Sequence, residues 1–157
     1  MNPSWRIRPL QLSDIEAILA IQSASPEAAQ WGAADYRRIC AGEGTGVVVE
    51  AQARLAEGQG SVTGFLIGRA VSDEFEILNM AVRPENRREE AGSWLLAEAV
   101  EKARAAGAKT IFLEVRESNQ GARAFYERHG FCVAGRRPQY YTSPAEDALV
   151  LSRTLRT

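Results

Sequence analysis

Apolar residues recur along the chain with two periods, and the switches between them mark out the elements. Trp5 to Pro9 reads as a short first strand. Ser13-Asp14-Ile15-Glu16 has capping-box spacing ahead of Ile15, Ile18, Leu19 and Ile21, which predicts a helix beginning near Ser13. Ser23 to Ala34 carries Pro26, Trp31 and Gly32 among small and polar residues, and reads as a connection to a second helix over roughly Asp35 to Cys40. Val47-Val48-Val49 then starts a sheet. A turn with Gly58 and Gly60 leads to Val62–Ala70, and Ser72-Asp73 leads to Phe75–Val82, which Pro84 ends. Three adjacent antiparallel strands are the economical reading.

At Glu90 the period changes: Leu96, Ala99, Val100 and Ala103 form the stripe of an amphipathic helix that Gly107 can cap. Ile111 to Val115 is the next strand. A second helical stripe runs Ala122, Phe125, Tyr126 and His129 before Gly130, and Phe131–Ala134 and Ala148–Leu151 supply the last strands. The pattern predicts a mixed sheet flanked by helices. No repeat, low-complexity segment or composition shift marks a boundary, so the 157 residues read as one domain over residues 1–157, with enough chain for a substantial core.

Charge changes the picture by exclusion. The chain has 19 basic and 20 acidic residues and a formal net charge of -1, which gives little electrostatic support for gripping nucleic acid and leaves small molecules or peptides as the expected partners. Cys40 and Cys132 are far apart and lack metal-ligand spacing, so neither a disulfide framework nor a metal site is expected. Cys132 reads as a buried small apolar residue. With no run of ~18 apolar residues and no signal-peptide pattern in Met1-Asn2-Pro3-Ser4-Trp5, the expectation is a cytoplasmic protein without membrane association.

The densest chemistry is Leu113-Glu114-Val115-Arg116, followed by Asn119, Ala122, Phe125-Tyr126 and Gly130-Phe131. It sets a carboxylate at the end of an apolar strand and a phenol on the following helix, a base and an acid for one cleft. Other uses exist for each residue. Glu114 could pair with Arg87, Arg116 or another cation, and Tyr126 could belong to the core stripe. Phe125 suits that core position better, which would leave Tyr126 turned towards the cleft. Asn119 suits a helix N-cap, and His129 a role at the helix C-terminus.

Four segments in this order resemble the GNAT family of acetyl-CoA-dependent N-acetyltransferases, most closely its RimI-like ribosomal-protein-alanine members. They are Glu76–Val82, Arg87–Leu96, Leu113–Phe131, and Tyr140-Tyr141 with Glu146-Asp147-Ala148. The resemblance is strong from Glu76 to Phe131 and thin in the first sixty residues. It implies a single-domain α/β GNAT-like fold, with a mixed, mostly antiparallel sheet of about seven strands flanked by helices. It also implies acetyl-CoA as co-substrate, with no metal. The strand Glu76–Val82 would be splayed from its neighbour, and the backbone of Met80, Ala81 and Val82 would hold the pantetheine arm and the acetyl carbonyl, while the side chains of Ile77, Met80 and Val82 would be core. The cofactor pyrophosphate would lie on Arg87, Arg88, Glu89, Glu90, Ala91, Gly92 and Ser93, at the positive end of a helix dipole. Asn119 would contact the cofactor as well. Glu114 would be the general base, Tyr126 the acid at the departing thiolate, and Trp31, Tyr140 and Tyr141 acceptor-side residues.

One position departs from the family pattern Arg/Gln-x-x-Gly-x-Gly/Ala: its first glycine is Glu90 here. At ~6 Å from a phosphate charge and an effective dielectric of about 20, that carboxylate would cost roughly 3 kcal/mol. Facing water, it would instead be an ordinary first-turn helix glutamate. The resemblance implies acetyl transfer by direct attack in a ternary complex, onto a protein N-terminal α-amine such as that of a ribosomal protein, by a monomer or homodimer. A small-molecule amine or lysine acceptor, or a non-catalytic binding module with a weakened cofactor site, are the alternatives.

Overall fold

Strands of two kinds make up most of the sheet, some alternating buried and half-buried positions and some buried over a continuous run. In the computed structural model, residues 5–51, 61–87 and 90–156 are described. The elements are β1 (Trp5–Pro9), α1 (Ile15–Ser23), α2 (Ala33–Arg38), β2 (Thr45–Ala51), β3 (Ser61–Val71), β4 (Glu74–Val82), α3 (Ala91–Ala105), β5 (Thr110–Arg116), α4 (Gln120–Arg128), β6 (Cys132–Thr142) and β7 (Ala145–Thr154). The strands are hydrogen-bonded in the order β1-β2-β3-β4-β5-β7-β6, the mixed seven-stranded sheet that the sequence implied. Residues 52–60, with the turn expected at Gly58 and Gly60, lie outside the described residues.

The chain divides into two compact units, residues 1–69 with 77–102, and 70–76 with 103–157. In the first, β1 and β2 pair antiparallel from Trp5↔Ala51 to Pro9↔Val47, and β2 pairs antiparallel with β3. Its core joins Ile15, Ile18 and Ile21 of α1 to Tyr36, Ile39, Val48, Phe65 and Ile67. The three isoleucines recur on one helix face, so burying that face is what holds α1 to the sheet. The helix starts at Ile15, not at Ser13. The box is made two residues earlier, where the Gln11 N–H donates to Asp14 Oδ2 at 2.8 Å and a short 3-10 turn (Leu12–Asp14) leads into α1. Asp14 is drawn into that role because Arg8 also holds it, with two bonds of 2.8 Å.

At Gly64 of β3 a Cβ would stand 2.9 Å from the Ala81 carbonyl oxygen, 3.1 Å from Val82 Cγ2 and 3.2 Å from Leu95 Cδ1. A backbone oxygen cannot swing aside as a long side chain can. Gly64→Ala is therefore expected to destabilise the protein by about 1–3 kcal/mol. The check is a lowered denaturant midpoint at unchanged slope; an unchanged midpoint would mean that the strand backbone gives way freely.

In the second unit, β4 and β5 run parallel over Glu74–Glu76 and Thr110–Phe112, and β7 pairs antiparallel with β5 on one side and β6 on the other. Ile111, Leu113 and Val115 are buried with Ala148, Leu149 and Leu151. β6, at the sheet edge, is exposed on both faces along most of its length. Cys132 is consequently exposed, against the expectation of a buried thiol. No helix among the described residues is long and apolar enough to cross a membrane.

Candidate active site

The alternation of β5 sends Leu113 and Val115 into the core, which turns the Glu114 side chain to the opposite, half-buried face. Its Oε1 accepts a hydrogen bond from Arg137 Nε at 2.8 Å; the Glu114 side chain is 13% exposed and that of Arg137 53%. The cation is neither Arg87 nor Arg116 but the other cation that the sequence left open. Arg137 comes from β6, two strands away in the ladder order, and reaches across β7. Hydrogen bonding towards Glu114, followed by burial and the Glu114 charge, raises the Tyr140 phenol above its ordinary pKa. Burial first, then the Glu114 charge, pushes Tyr141 up to about 12. The two tyrosine rings meet edge-on, 5.1 Å apart, and Arg116 Cζ lies 4.3 Å from the centre of the Tyr141 ring.

A bulge produces this presentation. Arg137 pairs with Ala148 and Tyr141 with Glu146, so four steps along β6 match two along β7. Gln139 takes up the surplus at φ +49°, and its N–H donates to Asp147 Oδ1 at 2.9 Å. That bond, with Arg136 beside it, holds the Asp147 carboxyl below the usual carboxylate range. Glu146, the other half of the acidic pair, accepts the Ser118 N–H at 2.5 Å and pairs with Arg116 at 3.2 Å. The Glu146-Asp147 pair thus braces the tyrosines on one side and the start of the loop before α4 on the other.

Asn119 is the N-cap of α4, its Oδ1 accepting the Ala122 N–H at 3.2 Å, and His129 closes the helix with Nδ1–H donating to the Phe125 carbonyl at 2.8 Å. Tyr126 takes the buried position expected of Phe125. Tyr126 is buried, edge-on to Phe131 at 5.4 Å, whereas Phe125 is half-buried, its ring 4.5 Å from that of His129 and tilted by 38°. Burial raises the Tyr126 phenol far above its ordinary pKa, so it keeps its proton and can serve as a hydrogen-bond donor.

The other predicted residues lie in the first unit. On β4 the buried face is Ile77, Asn79 and Ala81, following Phe75, while Met80 and Val82 are on the half-buried face. The expectation that Met80 and Val82 are core side chains is corrected by this register. Sequence reasoning passed over Asn79, although a polar residue in phase with Phe75, Ile77 and Ala81 was a legible signal. At the head of α3, Ala91 and Gly92 are buried, Ser93 is half-buried and Glu90 is exposed. The Glu90 carbonyl accepts the Trp94 N–H at 3.0 Å, opening the helical ladder. Arg87 donates to Ser25 Oγ at 2.9 Å and to Glu27 Oε1 at 3.2 Å. Arg88 and Glu89 lie outside the described residues. Trp31 is half-buried, its ring 5.3 Å from that of Tyr36.

Comparison with known proteins identifies the family. The model of the acetyltransferase (GNAT) family matches residues 15–131. A Bacillus subtilis (strain 168) protein provisionally named a ribosomal protein bS18-alanine N-acetyltransferase is 30% identical over 155 residues, 99% of either chain. The Escherichia coli (strain K12) ribosomal protein bS18-alanine N-acetyltransferase is 38% identical over 95 residues, 59% of this chain and 64% of that one. The crystal structure of the E. coli ribosomal-protein-S18-alanine N-acetyltransferase aligns with a TM-score of 0.79 at 26% identity, covering 98% of this chain and 96% of the other. The carboxylate on β5, the capped and buried-tyrosine helix that follows it, and a family match that spans both place this chain among the acetyltransferases of the GNAT family.

Proposed function

We propose that this acetyltransferase, read as one domain over residues 1–157, transfers acetyl from acetyl-CoA to the N-terminal α-amine of a protein, by direct attack in a ternary complex. The carrying observation is the Glu114 carboxylate, largely shielded and held by Arg137. A carboxylate offers about four lone-pair directions, so the Arg137 bond orients it and leaves capacity to take a proton from the acceptor ammonium. The neutral amine nitrogen bonds to the thioester carbonyl carbon, the carbon–sulfur bond breaks, and the nitrogen's second proton passes to the departing thiolate, to which the Tyr126 phenol donates a hydrogen bond.

Base strength argues for the α-amine. At pH 7 an α-amine of pKa ~7.8 is roughly one-tenth neutral, whereas a lysine of pKa ~10.4 is neutral on the order of once in two thousand molecules. The names of the bacterial relatives point the same way, to the N-terminal alanine of a ribosomal protein. Trp31, Tyr140 and Tyr141 are assigned to the acceptor, and the backbone of Met80, Ala81 and Val82 to the acetyl and pantetheine groups.

For the pyrophosphate, the residues at the head of α3 fit. Ala91 and Gly92 put no bulk there, the 15-residue helix aims its positive end at the site, and the side chain that replaces the family glycine is exposed. Glu90→Gly is therefore expected to change acetyl-CoA affinity by less than about threefold, since an exposed charge is screened. A tightening near a hundredfold would put the Glu90 charge against the phosphates.

The test of the function is calorimetric titration with acetyl-CoA, followed by thiol-release assays on peptides with a free N-terminal alanine or serine, on N-terminally blocked peptides carrying lysine, and on small amines. Micromolar cofactor binding with release on the free N-termini is the expected result. Release only on lysine or small amines would overturn the acceptor assignment.

A further inference from the structure

The connection between α1 and α2, residues 24–32, has turns and bends but no helix or strand, and three polar side chains fasten it. Asn79 on β4, 5% exposed, is the central one. A carboxamide has two donor hydrogens and two acceptor lone pairs, and here all four are used. Nδ2 donates to the Ala29 carbonyl at 3.0 Å and to the Tyr36 hydroxyl at 3.1 Å. Oδ1 accepts the Ala29 N–H at 3.2 Å and the Met80 N–H at 3.0 Å. Ala29 is thus gripped at both its backbone groups by one side chain, as a neighbouring strand would grip it. The network continues: Tyr36, fully buried, donates to Gln22 Oε1 at 2.5 Å, and Gln22 Nε2 donates to the Trp31 carbonyl at 2.8 Å. Arg87 holds the front of the connection through Ser25 and Glu27.

We infer that Asn79 is a positioning residue for acceptor selection. Touching neither substrate, it locks the Ala29–Trp31 segment to the Met80 backbone, so the acceptor's first residue meets a wall set in fixed register to the strand assigned to the acetyl group. No other side chain of similar size supplies both pairs of bonds: aspartate lacks the donors, and leucine or alanine leaves the Ala29 groups and the Tyr36 hydroxyl without this partner. The inference rests on the assignment of Trp31 to the acceptor and Met80 to acetyl-CoA.

The experiment compares the wild type, Asn79→Ala and Tyr36→Phe in full steady-state kinetics with peptides that differ only in the first residue, small or bulky, alongside calorimetric acetyl-CoA binding. Tyr36→Phe keeps the ring and removes only the hydroxyl shared by Asn79 and Gln22, so it serves where the alanine variant does not fold. The expected result is a peptide KM raised about tenfold in Asn79→Ala and a few-fold in Tyr36→Phe. The preference between small and bulky first residues should fall towards one, with acetyl-CoA affinity held within about twofold. Two outcomes overturn the inference in an enzyme that acetylates peptides: an unchanged peptide KM and preference in Tyr36→Phe, or a loss confined to the folded fraction that lowers all readings alike. A wild type that acetylates no peptide overturns the proposed function first, and the inference falls with it.

Discussion

Replacing Glu114 by Gln is expected to lower turnover about 100-fold while leaving acetyl-CoA affinity within about twofold. Glutamine has the shape of glutamate and keeps one oxygen that can accept from Arg137, so the surroundings of β5 are preserved. What it loses is the charge and the ability to take a proton. Positioned general acid–base groups contribute about 10²–10⁴-fold, and the lower end fits because an α-amine is already partly neutral at pH 7. The sign of the pH dependence follows from the acceptor. As pH rises through ~7.8 the amine deprotonates without help, so the gap between wild type and variant should narrow towards pH 9. Single-turnover rates with saturating acetyl-CoA, measured across that range, are the check. An unchanged rate would leave Glu114 as the ion-pair partner of Arg137 and nothing more; a gap that stays constant with pH would assign its effect to acceptor binding.

Legibility from sequence followed how local each cause is. α3 was readable because Leu96, Ala99, Val100 and Ala103 all face inward, at 5% exposure or less, on one unbroken stripe. β6 was underestimated, as Phe131–Ala134 against the observed Cys132–Thr142, because an edge strand exposed on both faces has no alternation to read. The start of α1 moved since Asp14 answers to Arg8, six residues upstream on another element, and spacing alone does not report that pull. Phe125 and Tyr126 are adjacent on a nine-residue helix, and two aromatics one step apart both fit a short stripe, so their division between core and surface was decided by Phe131. Arg137 was invisible for a similar reason. It is 23 residues from Glu114 and meets it only through the β6 bulge, which depends on Gln139 and Asp147.

Asp14→Ala is expected to cost about 3 kcal/mol of stability, a fall in Tm of roughly 6–12 °C for a chain of this size. Asp14 is 4% exposed, makes two 2.8 Å bonds to the Arg8 guanidinium and accepts the Gln11 N–H at the head of α1. Removing one member of a buried pair costs about 3–5 kcal/mol because the other charge is stranded. The lower end applies because Arg8 Nε keeps Glu50 Oε2 at 3.3 Å, itself 7% exposed at the side chain. Burial pushes the Asp14 carboxyl up, but the Arg8 bonds and the Gln11 N–H outweigh it and hold the group below its ordinary value. A carboxyl depressed in the folded state contributes stability that is present above its unfolded pKa of ~3.9 and lost as pH falls through the folded value. The difference between wild type and variant should accordingly be flat from pH 8 to pH 5 and shrink below pH 4. Added salt should change it little, since the pair is shielded. Denaturant melts at pH 7 and pH 3 distinguish the causes: a difference that survives undiminished at pH 3 would mean that Asp14 acts through packing and the helix cap, with its charge contributing nothing.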